Sequence, residues 1–304
     1  MSRKDLEDLA LLIVPGAIWG ASFLFIAEGL DAMAPLGVTF IRLFIGFLTL
    51  AVLPAARQPL AKGDGWPTAA LSVIWLAFPL SMFPFAEQRV SSAIAGMLNG
   101  STAIIAALVA GVLARCWPDR AVLTGLAVGV AGILLMAVPS IDGASSAAGI
   151  AMIVAAVTSY GVAINLARPL QLRSGALPVV WRTLGVATAL TAPLGLPAVL
   201  DAHWTPRAVF AMVMLGAFGT AIANVIMTVA TGRLGATRAS ATVFLIPVVA
   251  LGLGVLVRDE RVAGLSIAGA AICLAGAWLI RPRPTGSLLK RSPAAGACVE
   301  TAGR

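Results

Sequence analysis

Polar side chains recur at helical spacing in an otherwise apolar stretch around Asn224. Thr220, Asn224 and Thr228 are four residues apart, which places them on one face of a helix. Hydroxyl and amide groups on a buried face can bind the polar groups of a small solute. They can also bond neighbouring helices to each other, a contact that contributes only about 0.6 kcal/mol on average inside membranes. The spacing therefore predicts either the wall of a solute site or a helix–helix contact.

Other apolar stretches carry polar or aromatic side chains that could line the same cavity: Trp19, Ser22, Asn99, Tyr160 and Asn165. Trp19 and Tyr160 lie mid-stretch, away from the membrane interfaces where these residue types usually collect. At that depth each needs a hydrogen-bond partner for its N–H or O–H. We expect a solute cavity to supply that partner, with a neighbouring carbonyl oxygen as the alternative.

Charged residues within or beside the apolar stretches form a second group of candidates. Arg42 lies eight residues into its stretch, where a charge is costly unless protein or water surrounds it. Glu28 and Glu87 lie at the outer ends of theirs, where either carboxylate could couple transport to protons or could simply be solvated. Arg182 lies at a shallower depth, from which its side chain can reach the interface. Phe78 would add apolar lining, with core packing as the alternative.

The residues expected of a catalytic or metal centre are missing from the sequence. The chain has one histidine, His203, and three widely spaced cysteines without a CxxC pair. It contains no GxxxxGK[ST] nucleotide-binding motif. We therefore expect no catalytic residue, no metal and no cofactor. An integral membrane enzyme is the least favoured class, because His203 has no obvious partner.

The composition determines the medium in which these residues lie. Of 304 residues, 60% are hydrophobic and only 11% are charged, against about 25% charged in an ordinary soluble domain. Mean hydropathy is +0.98. Such a chain cannot cover a water-exposed surface, so we expect an all-α integral membrane protein in a lipid bilayer. Its net charge of +8 then reflects basic cytoplasmic loops rather than nucleic-acid binding.

Apolar runs bounded by charge, Pro or Gly predict ten transmembrane helices. They cover approximately 9–30, 34–53, 68–85, 91–114, 121–138, 147–167, 177–200, 207–231, 239–257 and 262–280. With the N-terminus inside, cytoplasmic segments carry fifteen Lys and Arg residues and outer segments carry four. The positive-inside rule therefore predicts that both termini are cytoplasmic. The polar residues 281–304 are predicted to form a disordered cytoplasmic tail.

An internal repeat relates the two halves of the chain. A shift of 144 residues aligns 89–135 with 233–279, and a shift of 141 places Trp19 on Tyr160. Aligned helix ends and glycines favour a duplication, with the shared composition of apolar helices as the alternative. Each unit holds five helices, an odd number, so the two units are predicted to cross the membrane in opposite directions as inverted repeats.

The predicted organisation is a cytoplasmic segment 1–8 followed by five-helix units at 9–138 and 147–280. The last helix of each unit has few polar residues, and the fifth helix carries a small-residue pattern, Gly125-x-x-x-Gly129. We expect helices five and ten at the periphery, where they could join two copies of the chain in a homodimer.

Several motifs together resemble the EamA-type transporters of the drug/metabolite transporter superfamily. The second repeat carries GATRASATVFLIPVVAL at 235–251, followed by Asp259-Glu260-Arg261. The first repeat carries WGASF at 19–23, then Pro35 and Arg42. The resemblance covers about residues 10–280 and implies two five-helix units of a transporter, without identifying the substrate. The acidic residue that follows the fourth helix of a unit in this family is Glu260, where helix capping is expected.

One departure from the family pattern concerns the first unit. The position aligned with Glu260 is Cys116, so the two units cannot share a role for this carboxylate.

These features together predict a secondary transporter that exports a small organic solute by alternating access around a midplane cavity. The solute would be a metabolite, an amino acid or a drug, and proton coupling is left open. The alternative is a non-transporting membrane scaffold or receptor. We expect a multi-pass protein of the plasma membrane, the inner membrane of a bacterium, with a small solute and the bilayer as partners and no nucleic acid.

Overall fold

Helices account for all regular secondary structure in the described part of the chain, as expected where backbone groups must be satisfied inside lipid. The computed structural model describes residues 3–113, 120–137, 146–234, 242–243 and 245–279. No strand occurs within these ranges, which confirms the all-α class. Cys116 and the predicted tail, 281–304, lie outside the described residues.

The helices of the first half overlap the first five predicted runs. They are α1 (Arg3–Leu30), α2 (Pro35–Ala51), α3 (Gly65–Glu87), α4 (Ser92–Asn99 and Thr102–Leu113) and α5 (Arg120–Ala137). Those of the second half overlap the other five. They are α6 (Ala147–Ser174), α7 (Ala176–Leu200), α8 (Pro206–Val213, Met214–Ile222 and Ala223–Leu234), α9 (Leu245–Arg258) and α10 (Gly264–Leu279).

Helix length and composition suit a bilayer. Five candidate spans are found in the described chain, in α1, α3, α6, α7 and α8, each of at least 23 residues. A helix of ~20 apolar residues crosses the hydrocarbon core. Four further apolar helices are shorter and belong to α2, α4, α9 and α10.

The sixth helix continues beyond the predicted end at residue 167. Arg168 and Pro169 favour a break there, but α6 runs through both to Ser174 and includes Pro169. It ends at Gly175, whose φ of +83° is a conformation that glycine adopts without a steric penalty. A glycine therefore ends α6 and leads directly into α7.

π-helical segments interrupt one helix in each half. Val73–Ala77 lies within α3 and Met214–Ile222 within α8. The shift of 141 residues places 73–77 on 214–218, so the two segments begin at equivalent positions. A π-turn changes the hydrogen-bonding pattern of the helix and is frequent at functional sites.

Each of three helices packs against its counterpart in the other half. The pairs are α2 with α7, the first segment of α4 with α9, and α5 with α10. In addition, α3 packs against α6, and α8 packs against α1 in the equivalent way. The largest apolar cluster includes Ile26, Met97, Ile153 and Leu215, each at most 1% exposed. The main core is therefore shared by helices from both halves.

The contact between α5 and α10 is made at backbone distance. A Cβ added to Gly132 would meet the backbone nitrogen of Cys273 and would lie 2.7 Å from the carbonyl oxygen of Gly269. A Cβ added to Gly276 would lie 2.6 Å from the carbonyl oxygen of Gly125. The small-residue face of α5 is thus occupied by α10 of the same chain. The predicted homodimer would need other faces of these two helices.

We expect Gly132→Ala to lower the melting temperature and Gly252→Ala to leave it unchanged or raise it. The methyl group at position 132 would press on the backbone of α10, and overpacking of this kind costs ~1–3 kcal/mol. Gly252, in α9, has no atom within 4 Å of an added Cβ, so alanine there gains ~0.5–1 kcal/mol of helix propensity. Thermal unfolding of both purified variants measures the difference. Equal melting temperatures would contradict the contact.

Candidate solute-binding site

Arg42 is a buried cation where α2 meets α8. It is only 5% exposed, and its Nε donates a hydrogen bond to Thr220 Oγ1 over 3.3 Å. Thr220 Oγ1 in turn donates to the Leu215 carbonyl oxygen, 2.9 Å away in the π-helical segment. Within the described chain no carboxylate forms an ion pair with Arg42. Its charge instead interacts at longer range with Glu87 and the Tyr160 hydroxyl.

Glu87, the last residue of α3, is the acidic residue whose charge interacts with that of Arg42. Both of its carboxylate oxygens are buried and accept no hydrogen bond. Its charge interacts with Arg42 and, at the outer end, with Arg258 and Glu260. A buried carboxylate is costly unless it binds a proton or a cationic group. The structure thus holds a guanidinium and a carboxylate within electrostatic reach but without a direct ion pair.

The aromatic candidates are partly satisfied by protein. Trp19 Nε1 donates to the Gly219 carbonyl oxygen over 3.1 Å. In this conformation its partner is therefore a backbone carbonyl, which was the alternative to a solute. The Tyr160 ring is stacked on Phe83 with centroids 6.1 Å apart, and Phe83 meets Phe23 edge-on at 5.5 Å. Tyr160 therefore has its ring against α3 and its hydroxyl within electrostatic range of Arg42.

The polar stripe of α8 bonds mainly to its own helix. Asn224 Nδ2 donates to the Thr220 carbonyl oxygen over 2.7 Å, and Thr228 Oγ1 donates to the Asn224 carbonyl oxygen over 2.8 Å. On α1, Ser22 Oγ donates to the Ile18 carbonyl oxygen over 2.9 Å. Of the stripe, Thr220 is the member that also bonds across helices, to Arg42.

The remaining candidates lie in other contacts. Asn165 Nδ2 donates to the Ala106 carbonyl oxygen over 3.0 Å and so joins α6 to α4. Asn99 Oδ1 accepts a 3.4 Å bond from Thr102 Oγ1 at the break in α4. Phe78 is 40% exposed. The structure therefore joins Arg42 to Thr220 by a hydrogen bond and places Tyr160 and Glu87 within electrostatic range of Arg42, while no described hydrogen bond joins Asn99 or Asn165 to these residues.

Glu28 is paired rather than solvated, which corrects one of the two sequence-based interpretations. It is 6% exposed and forms ion pairs with Arg207 and Arg258. Arg258 Nη1 also contacts Asp31 Oδ2 at 2.8 Å. The sequence placed all these charges at outer ends but could not show which of them meet. Their pairing joins α1 of the first half to α8 and α9 of the second.

Glu260 provides a second connection between the halves. Its Oε1 accepts from the Ser92 backbone nitrogen at 2.9 Å and the Ser92 hydroxyl at 2.7 Å, and its Oε2 accepts from the Ala93 nitrogen at 2.9 Å. A Cβ added to Gly254 would collide with this carboxylate. The expected capping role is confirmed, although the capped helix, α4, belongs to the other half.

An ion pair at the opposite end joins the loop before α3 to the end of α6. Arg173 Nη2 lies 2.7 Å from Asp64 Oδ1, and Ser174 Oγ donates to Asp64 Oδ2 over 2.7 Å. These hydrogen bonds from Arg173 and Ser174 lower the pKa of Asp64 below its usual value. The carboxylate therefore stays charged throughout the neutral and mildly acidic range.

We expect Asp64→Asn to lower the melting temperature at neutral pH and to have a diminishing effect in acid. Because the folded-state pKa of Asp64 is lowered, its stabilisation is present above the unfolded pKa of ~3.9 and is lost as pH falls through the folded value. The melting temperatures of the two proteins should differ by a constant amount from pH 7 down to about pH 4 and approach each other only below that pH. Asp201→Asn, at an exposed position after α7, is the control and should behave like wild type. A constant gap at all pH values would argue against the ion pair.

Comparison with known proteins places these features in a family. Residues 8–138 and 147–281 each match the EamA-like transporter family. The chain is 27% identical over 280 residues to a "Probable terminal-alkyne amino-acid exporter" of Streptantibioticus cattleyicolor, covering 90% of this chain and 93% of the relative. It is 25% identical over 295 residues to a "Probable amino-acid metabolite efflux pump" of Salmonella typhimurium, covering 92% and 95%. A solved crystal structure shares the fold with a TM-score of 0.63 at 18% identity, over 92% of this chain and 98% of that one. The chain belongs to the EamA-like transporter family of membrane proteins.

Proposed function

We propose that this protein is a secondary exporter of amino acids or similar zwitterionic metabolites. The observation that carries the proposal is that the Arg42 side chain and the Glu87 carboxylate oxygens are buried, and that neither group forms an ion pair within the described residues. The carboxylate of an amino acid would bind the Arg42 guanidinium, and its ammonium group would bind Glu87. One zwitterion would satisfy both charges, whereas a neutral solute would leave both uncompensated. Relatives named as amino-acid exporters or efflux pumps support this substrate class.

The side chain of the solute would lie among the residues around this charged pair. Tyr160 would contact it from α6, and the ring face of Trp19 would contact it from α1. The polar groups of Ser22, Thr220, Asn224 and Thr228 would line the wall near α8. Phe78, Asn99 and Asn165 would act further from the charges, at the edges of the path.

The proposed architecture is ten spans in two inverted five-helix repeats, with both termini in the cytoplasm of a plasma-membrane protein. Support comes from the family match to each half separately, from the reciprocal packing of counterpart helices and from the equivalent starts of the π-helical segments. An odd number of spans in each unit requires opposite orientations.

Alternating access would then involve the outer connections. Glu28 with its two arginines, and Glu260 with the start of α4, tie the two halves together at one end. In the proposed orientation this end is the outer one, and the conformation would be closed to the outside. Release of the solute to the outside requires these bonds to break while the halves rotate about the charged pair. Protons could drive this step if Glu87 carries a proton when the ammonium group has left.

Flux through proteoliposomes tests the proposal. Purified protein should move a radiolabelled neutral amino acid, with the rate depending on an imposed pH gradient if protons are coupled. An excess of the same amino acid as its methyl ester, which lacks the carboxylate, or as its N-acetyl derivative, which lacks the ammonium, should compete weakly. Absence of flux for a panel of amino acids would favour a scaffold or receptor. Equal competition by both derivatives would refute the zwitterion site.

A further inference from the structure

A groove of about 360 Å³ lies between α2, α3 and α7, apart from the charged pair. Its lining includes Phe47, Leu60, Thr68, Trp181, Arg182 and Gly185. These residues lie close to the end of α2 and the beginnings of α3 and α7, which the positive-inside rule assigns to the cytoplasmic side. The groove is therefore at the depth of lipid headgroups rather than at mid-membrane.

Two residues that line this groove each hold a buried polar atom without a hydrogen-bond partner. Thr68 is 1% exposed, and its Oγ1 forms no hydrogen bond. Trp181 Nε1 is also buried without a partner. Buried polar atoms in native proteins are bonded in about nine of ten cases, so two unbonded atoms on residues that line one groove point to a ligand that would contact them. An indole N–H can only donate, which requires that the ligand present an acceptor.

The cation and the aromatic rings define the chemistry of that acceptor. The Arg182 guanidinium lies 5.3 Å from the centroid of the Trp181 ring, and that ring is stacked on Phe47 with centroids 5.3 Å apart. Arg182 forms no ion pair within the described chain and donates to the carbonyl oxygens of Pro178 and Ala56. The site thus combines an uncompensated positive charge with flat apolar surface.

Neighbouring charges reinforce the positive potential. Arg57 and Lys62, in the loop between α2 and α3, are exposed. Asp64, which precedes the groove residue Gly65 in the chain, is already paired with Arg173. The inner leaflet is rich in anionic lipids that are attracted to such basic segments. A free anion would bind the positive charge alone. The aromatic rings and the position at the depth of the headgroups favour a lipid over a free anion.

We propose that this groove binds the anionic headgroup of a phospholipid from the cytoplasmic leaflet. Phosphate oxygens would accept hydrogen bonds from the Arg182 guanidinium and, once the side chains rotate towards the groove, from Trp181 Nε1 and Thr68 Oγ1. The glycerol and the first methylenes would lie against Phe47 and Trp181, and the acyl chains would continue into the bilayer. The lipid would bridge α2 and α3 of the first half to α7 of the second, independently of the solute site.

Thermal unfolding of the full-length protein in detergent tests this assignment. Phosphatidylglycerol should raise the melting temperature in a saturable manner, phosphatidylcholine should raise it much less, and inorganic phosphate should have no effect. Thr68→Val, which removes the hydroxyl with little change of shape, and Arg182→Gln should each weaken the apparent affinity for phosphatidylglycerol about tenfold. Arg57→Gln is the control for a loop charge and should bind like wild type.

The outcomes separate the possible occupants. Wild-type affinity in folded Thr68→Val protein would overturn the proposal, because that hydroxyl would then be unused. An equal response to the zwitterionic lipid would exclude recognition of an anionic headgroup. A response to inorganic phosphate alone would identify a free-anion site and would likewise overturn the lipid assignment. Solute transport plays no part in these measurements, so failure of the proposed exporter function would leave their result intact.

Discussion

Replacement of Arg42 by alanine should reduce solute binding by roughly 10- to 100-fold, while Arg57→Ala should leave it near the wild-type level. A hydrogen bond to a charged group contributes ~1.5–3 kcal/mol, which corresponds to this range of affinity. Arg42 is buried and lacks an ion-pair partner within the described chain, so a bound carboxylate would be its principal counter-charge. Arg57 is an exposed loop residue.

Arg42→Lys distinguishes charge from geometry. Lysine keeps the positive charge but loses the planar fork that binds a carboxylate with two hydrogen bonds. We expect intermediate affinity, measured by titration calorimetry on folded protein with an amino acid that is transported. Thr220 keeps its bond to the Leu215 carbonyl oxygen in every variant, so its hydroxyl is not left unsatisfied. Wild-type affinity in Arg42→Ala protein would mean that the buried charge has a purely structural role.

Glu87→Gln should raise the melting temperature and at the same time abolish transport. Both carboxylate oxygens of Glu87 are buried and accept no hydrogen bond, so the substitution breaks no hydrogen bond and removes the cost of burying a carboxylate. The same substitution removes the proposed partner of the solute ammonium group. A gain of stability with a loss of function is the behaviour expected of a site residue held in an unfavourable environment.

Glu260→Gln is the matched control for this prediction. It makes the same chemical change in a carboxylate whose two oxygens both accept hydrogen bonds, since Glu260 accepts three of them at the start of α4. We expect it to lower the melting temperature. The opposite signs of the two shifts, measured side by side in one detergent, provide the test. Destabilisation of similar size in both variants would show that Glu87 has bonding partners and is not an open site.

The positions of the helices could be predicted from sequence because apolar runs and their boundaries are local properties. The extension of α6 through Pro169 was missed, since a proline at this position ends many helices but not all of them. The π-helical segments left no sequence signal that a hydropathy pattern detects. Once the structure is known, the shift of 141 residues shows that the two π-helical segments start at equivalent positions in the two halves.

The candidate site could be predicted only in part, because pairing is a tertiary property. Arg42 stood out as a charge within an apolar stretch and Glu87 as one at the outer end of another, and neither forms an ion pair within the described residues. Glu28 had the same signal yet meets two arginines from the other half, which no local pattern reveals. The groove between α2, α3 and α7 was missed for a similar reason. Arg182 could be assigned to the membrane interface, but Thr68, which lines the same groove, comes from a helix more than a hundred residues away in the chain.

The glycine contact between α5 and α10 has the form of an isologous interface, the kind found where two identical subunits meet about a two-fold axis. Gly132 and Gly276 are equivalent under the shift of 144 residues, and each touches the equivalents of the residues that the other touches. Gly132 meets Gly269 and Cys273, while Gly276 meets Gly125 and Gly129. An interface of this kind needs no covalent link between its partners. Its geometry is the one by which two separate copies of such a helix would associate about a two-fold axis.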